Sequence, residues 1–371
     1  MPSRRHGRRR HQGELPPGDV TRIAPPHLPG TSLSFANQTV NRNKRSISVD
    51  LRTDAGREVF LDLAAASDVV IENFLPGTLE GWGLGYEQVK AVRPDTVYLS
   101  ITGWGQFGDL SPRPAYDPAV QAASGWMSLN GDPDGLPVRA PTFLADDLAG
   151  LHGALAVLAA LRHRDAFGEG QHVDVALLDV TLYQSNGFLT LGAMGLDLPR
   201  MGSEVPVAVP CNTYRCRDGA AFIALLLDSH WDALVGLMNR PDLASDEELH
   251  TNAGRVGRRA DVNEAVAGWF AGLDVSEAVR LAAEAGVAVS PVHTFGEVAA
   301  LTHVAEREML QMVELEDGTE APIVGPAGKF SLTPTAVRRA APALGAHGPE
   351  ILRELGYDEV AIDRLRSDGG L

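Results

Sequence analysis

The sequence is short of cysteine, of positive charge and of long apolar runs, and each shortage closes off a class of protein. Its two cysteines, Cys211 and Cys216, cannot staple a disulfide scaffold, and they lack the second pair that a four-ligand zinc site needs. They read as small hydrophobic residues in a reducing cytoplasm. Lys and Arg number 32 against 48 Asp and Glu, a formal charge of −16, which argues against the broad basic surface that nucleic acid demands. A phosphate-bearing small molecule needs only a local cluster of donors, and Arg42, Lys44 and Arg45 supply one. No apolar run approaches the roughly 20 residues that span a bilayer. A soluble protein is expected, with no membrane partner. The eleven histidines show no metal-ligand spacing, so no metal site is expected.

What is present is a chain of 371 residues, long enough that two domains are the natural expectation. Residues 1–17 form a basic tail without aliphatic content to bury, and disorder is expected there. From residue 47 the pattern alternates between strand and helix periods, as in a parallel sheet with crossover helices. Strands are expected over 47–51, 68–72, 96–101 and 172–177, with helices over 54–66 and within 77–92. Residues 147–163 form the clearest helix. Leu148, Leu151, Leu155 and Leu158 keep helical spacing, alanines and glycines fill its other faces, and tight burial is expected. Helical segments between a strand at 220–227 and one at 287–292 mark a second, smaller α+β domain over 205–300. Residues 18–195 read as the first part of a large domain and 310–371 as its C-terminal return, with a final helix near 349–366.

Three motifs bear on chemistry. Gly103-Trp-Gly-Gln-Phe-Gly108 matches a dinucleotide fingerprint after a strand, but Pro112 and Pro114 bar the helix that would receive a pyrophosphate. Asp146-Asp147 stands where the clearest helix begins. It reads equally as an N-cap and as a carboxylate nucleophile kept ionised by the helix dipole. Asn41-Arg-Asn-Lys-Arg-Ser46 reads either as a solvated turn or as a ligand loop beside an α/β sheet.

In order along the chain, several segments resemble the class III CoA-transferase family, which includes formyl-CoA transferase, carnitine CoA-transferases and α-methylacyl-CoA racemases. They are Asn41–Ser46 with Val49-Asp50-Leu51, Glu72-Asn73-Phe74 with Pro76-Gly77, and Thr102–Gly108. Tyr116-Asp117 with Gln121-Ala122, the helix from Asp146 to Leu161, Gly168-Glu-Gly-Gln171 and Ala341-Pro342-Ala-Leu-Gly345 complete the set. The resemblance implies a Rossmann-like large domain with a parallel sheet, a smaller α+β domain, and two subunits interlocked as a dimer. It implies Asp146 as the nucleophile, four residues before Gly150. By the same resemblance Lys44 and Arg45 approach the CoA phosphates, with Arg42 beside them in the donor cluster, Asn73 and Phe74 line the CoA path, and Tyr116 stands near the thioester. Family members usually open with a further strand and helix, in whose place this chain has the basic peptide.

The mechanism so implied moves CoA from an acyl-CoA donor to a carboxylate acceptor through an aspartyl-CoA thioester, with CoA as substrate and no permanently bound cofactor. Backbone N–H groups near Gly150 are candidates to stabilise oxyanions. Two alternatives stay open. A racemase needs a His and Asp pair, and in family racemases a histidine precedes the aspartate where Tyr116 stands here. A non-catalytic CoA-binding subunit, or an inactive N-terminally truncated product, is the other.

Overall fold

The structure, a computed structural model, describes residues 11–14 and 18–371. The strands in chain order are β1 His11–Glu14, β2 Arg45–Ser48, β3 Val69–Glu72, β4 Val97–Thr102, β5 Gln171–Ala176, β6 Cys211–Arg215, β7 Ala220–Ala224, β8 Val289–Pro291, β9 Leu310–Glu314 and β10 Glu320–Val324. The chain divides into two compact units. One holds the residues up to Pro114 with Ala149–Leu177 and Val298–Leu371, and the other holds Ala115–Leu148 with Leu178–Glu297. The large run expected over 18–195 is therefore interrupted, since 115–148 and 178–195 group with the residues that follow. The C-terminal segment groups with the first unit.

In the first unit, β3, β4 and β5 form a parallel sheet in which Val97 stands opposite both Val69 and Gln171. β2 is not part of that sheet. It pairs in parallel with β1, Ser46 opposite Gln12. This corrects the expected disordered tail at residues 11–14, while residues 1–10 and 15–17 of that tail lie outside the described residues. The physical reason is that a ladder is made by the main chain. A segment with no apolar side chains can still satisfy the exposed N–H and C=O groups of a neighbouring strand.

The C-terminal return covers β2. Ile47 and Val49 pack with Ile351, Leu352, Ile362 and Leu365, and the His347 N–H donates to the Ser46 carbonyl at 2.9 Å. The final helix expected near 349–366 is two, Gly348–Glu354 and Glu359–Ser367, separated by Gly356 at φ +97°. β9 and β10 pair as an antiparallel ribbon.

The clearest helix runs over Leu144–Phe167 and starts three residues earlier than expected. Its burial is one-sided, and the side is the small one. Ala145, Ala149, Gly153, Val157 and Ala160 are buried, whereas Leu151, Leu155 and Leu158 are 57%, 57% and 51% exposed. The expectation of a helix buried all round is corrected. Close approach to β4 requires a small face, because a Cβ on Gly153 would already lie 3.0 Å from a Leu99 methyl. The same helix is also apolar and long enough to cross a membrane by length and composition, contrary to the expectation that no segment would be.

In the second unit, β6, β7 and β8 form an antiparallel sheet. Trp231, Leu234, Val262, Val266 and Phe270 close its core. Arg255 is fully buried among them. Its guanidinium donates to the Val209 and Leu249 carbonyls and pairs with Asp228 at 2.8 Å, so the charge is compensated. Cys211 and Cys216 are buried free thiols, and burial pushes both up in pKa.

Candidate active site

Asp146 lies in the first turn of the Leu144–Phe167 helix, as its third residue. Phe143, which precedes the helix, has no side-chain oxygen to cap it. The cap comes from 28 residues upstream. Asp117 is 2% exposed, and its Oδ2 accepts the N–H of Ala145 at 2.6 Å and that of Asp146 at 3.4 Å. Its Oδ1 accepts from Gln121 Nε2 at 2.6 Å. Gln121 in turn holds the segment before the helix. Its Oε1 accepts the Ala140 N–H at 2.8 Å, and its Nε2 reaches the Thr142 carbonyl. Asp146 is thereby relieved of the capping role its position suggested.

Its own carboxyl remains open to solvent, and among the described residues no hydrogen-bond donor or cation engages it. Protein packed around it removes part of its hydration, and the Asp117 and Asp147 charges add to that, so the carboxyl is pushed up to about 6. The helix dipole favours the ionised form of Asp146. Burial and two like charges outweigh the dipole here. Asp147 is also raised, first by burial and then by Asp117. The N–H of Gly150 lies in the helix interior, where it is spent on the helical ladder, so it is not available to an oxyanion.

Tyr116 precedes Asp117 and is 79% exposed, so its ring is presented to solvent beside the carboxylate that caps the helix. The first unit carries the remaining predicted residues. Arg42 and Lys44 lie in the link between the helix Phe35–Val40 and β2, where Arg42 donates to the Thr39 carbonyl and Lys44 Nζ to Asn41 Oδ1 at 2.7 Å. Arg45 is different. Its side chain is 8% exposed and pairs with Glu354 at 2.7 Å and Glu350 at 2.8 Å, a tie between β2 and the C-terminal helix. Two carboxylates thus hold the Arg45 guanidinium within the fold.

Asn73 and Phe74 follow β3. The Asn73 amide donates to the Ile101 carbonyl, and Glu72 accepts the Phe74 N–H at 2.7 Å. On β5, Asp174 accepts the Gln106 N–H at 2.9 Å. Glu72, Ser100 and Asp174 stand in one row across the parallel sheet, two residues before the carboxyl ends of β4 and β5. Two carboxylates of that row thus fix the loops after β3 and β4, where open α/β sheets bind ligands. Burial raises the pKa of Glu72 against the lowering effect of its bonds to Ser100 and Phe74. Past Gly108 no helix forms before Asp117, so the glycine loop is no dinucleotide site.

Asp117 and Glu72 lie in family-like segments of the sequence that assign neither a role, and nothing in the sequence around Asp174 marks it. A signal for Asp117 exists in retrospect. A helix preceded by Pro141-Thr-Phe143 has no acceptor at its N-cap, so a distant one had to be sought.

A parallel α/β sheet in one unit, an antiparallel α+β second unit and an unpaired carboxylate opening the longest described helix define a two-unit α/β protein with a site suited to acyl transfer. The chain belongs to CoA-transferase family III, whose family model matches residues 14–348. It is 35% identical over 366 residues to the succinyl-CoA:mesaconate CoA-transferase of Haloarcula hispanica, covering 96% of this chain and 91% of that protein. To the succinate–glutarate CoA-transferase of Agrobacterium fabrum it is 34% identical, covering 91% and 86%. The crystal structure of a CAIB/BAIF family protein from Brucella suis superposes with a TM-score of 0.81 at 34% identity, over 93% of this chain and 91% of that one. The protein is an enzyme, a class III CoA-transferase, and its substrates are CoA thioesters.

Proposed function

We propose that this enzyme moves CoA from an acyl-CoA to a small carboxylate by covalent catalysis at Asp146. The Asp146 carboxylate attacks the donor thioester carbonyl, the C–S bond breaks, and CoA leaves as thiolate with a mixed anhydride behind it. The thiolate then attacks the aspartyl carbonyl of that anhydride and expels the donor carboxylate, leaving an aspartyl-CoA thioester. The acceptor carboxylate repeats both steps in reverse and restores Asp146. No proton or electron is gained or lost, and the thioester energy is kept without ATP.

The observation that carries this reading is the state of Asp146: accessible, without a hydrogen-bonded or cationic partner, and more basic than an ordinary carboxylate. A carboxylate held for structure alone would be paired. Lys44, with Arg42 beside it, is the proposed contact for the CoA phosphates, Asn73 and Phe74 border the CoA path, and Tyr116 faces the reacting thioester. The activities of the relatives, succinyl-CoA:mesaconate and succinate–glutarate CoA transfer, suggest a succinyl-type donor. The racemase alternative is disfavoured by Tyr116, which gives the site no histidine ahead of Asp117. The exposed leucines of the Leu144–Phe167 helix favour a homodimer in which a second copy covers them.

Asp146→Asn is the test. Assayed against a panel of acyl-CoAs and carboxylates, the variant loses CoA transfer completely, because an amide cannot form the anhydride, while Asp147→Asn retains turnover. Substantial turnover by Asp146→Asn sinks the reading.

A further inference from the structure

We infer that Asp117 is a positioning residue for Asp146: its buried carboxylate starts the helix that carries the nucleophile and faces that nucleophile with a fixed negative charge. This rests on the reading of Asp146 as the nucleophile.

The geometry argues for a role beyond packing. Asp117 opens its own helix, Asp117–Ala123, and Pro118 follows it, so the carboxylate projects from a stiff corner. Its two oxygens accept N–H donors only, from Gln121, Ala145 and Asp146, which is the pattern of an acceptor-only, ionised carboxylate. Among the described residues no cation pairs with it, although it is almost completely buried. A buried charge without a counter-ion is costly even when hydrogen-bonded, and a neutral Ser, Thr or Asn would cap the helix about as well. The charge therefore does something the cap does not require.

It acts on Asp146. The titratable groups that bear on the Asp146 carboxyl are Asp117, from the facing helix, and Asp147, from its own. Both oppose ionisation, and each makes the ionised form a stronger base and a stronger nucleophile. Asp117 contributes twice, since the bond to the Asp146 N–H also fixes the backbone from which the nucleophile projects. Sub-ångström placement of a reacting group is worth large factors in rate.

The experiment is the pH dependence of kcat/KM for the full-length enzyme with Asp117→Asn, Asp117→Ser, Asp147→Asn and Asp146→Asn. The intact enzyme should show an acid limb near pH 6, where Asp146 ionises. Removing the Asp117 charge lowers the Asp146 pKa, so in Asp117→Asn and Asp117→Ser the limb moves to lower pH by about half to one unit. Their plateau falls roughly tenfold, as a weaker nucleophile is less firmly aimed. Asp147→Asn moves the limb the same way by less and lowers the plateau by less, since it loses a charge but no bond to the nucleophile's backbone. Partial unfolding lowers a plateau at every pH alike and leaves the limb in place, so loss of folded protein cannot imitate the result. A limb unmoved in both Asp117 variants, with Asp146→Asn inactive, overturns the role of Asp117 and leaves the nucleophile standing. Turnover by Asp146→Asn overturns the nucleophile itself.

Discussion

Replacing the nucleophile should make the protein more stable, and the pH at which it does so is fixed by the structure. Asp146 has an ordinary carboxyl value of 3.8 when unfolded and about 6 when folded, burial contributing most and Asp117 and Asp147 next. The folded state thus holds the Asp146 proton more tightly than the unfolded chain. The stability from this group is complete below the unfolded value and is lost as pH rises through about 6. Its upper bound is about 3 kcal/mol. Because the carboxyl is open to water, screening reduces this to about 1 kcal/mol. Asp146→Asn has no charge to suppress at any pH. It should therefore resist urea by about 1 kcal/mol more than the parent at about pH 8, and the advantage should vanish as the parent protonates towards about pH 4. Urea titrations followed by circular dichroism at those two pH values measure it. A variant less stable than the parent at the higher pH, or a difference independent of pH, refutes the electrostatic picture and returns Asp146 to the position of a favourable helix-terminal charge.

Asp117→Ala removes a buried cap that serves three donors and should cost about 1–2 kcal/mol of stability by denaturant titration. Lys44→Ala should weaken CoA binding by roughly 1–3 kcal/mol in calorimetry, and the loss should shrink as salt is raised. Arg45→Ala should instead lower stability, by about 2 kcal/mol, with CoA affinity per folded molecule nearly unchanged, since its guanidinium serves Glu350 and Glu354. Gly153→Val forces a branched side chain against Leu99 and Ile101 and should destabilise by about 1–3 kcal/mol, while Leu151→Lys with Leu155→Lys should lower the sedimentation coefficient towards that of a single chain.

The parts of this fold that can be read from sequence are those decided by short-range pattern. The alternation around Val69–Glu72 and Val97–Thr102 locates two parallel strands within a residue, and the helix expected over 54–66 is found at Asp54–Ala65. The parts that cannot be read are decided by distant partners. Both the leucine set and the alanine and glycine set of the Leu144–Phe167 helix have helical spacing. Hydrophobicity alone selects the leucines for burial, but the sheet admits only the small face. Arg45 looks like its neighbours Arg42 and Lys44, and nothing local reveals that Glu350 and Glu354 claim it from more than 300 residues away. At the site, Asp146 was legible through the family motif, whereas its freedom from capping was not, because the capping carboxylate lies on another helix.

The central claim is that Asp146 becomes covalently bound during turnover, and trapping tests it most directly. The enzyme is incubated with acyl-CoA in the absence of acceptor, treated with hydroxylamine or borohydride, digested, and its peptides weighed. The account predicts hydroxamate or reduced product confined to the peptide that contains Asp146, and none in Asp146→Asn. A modified residue elsewhere, or turnover of acyl-CoA with no trapped adduct at all, contradicts it.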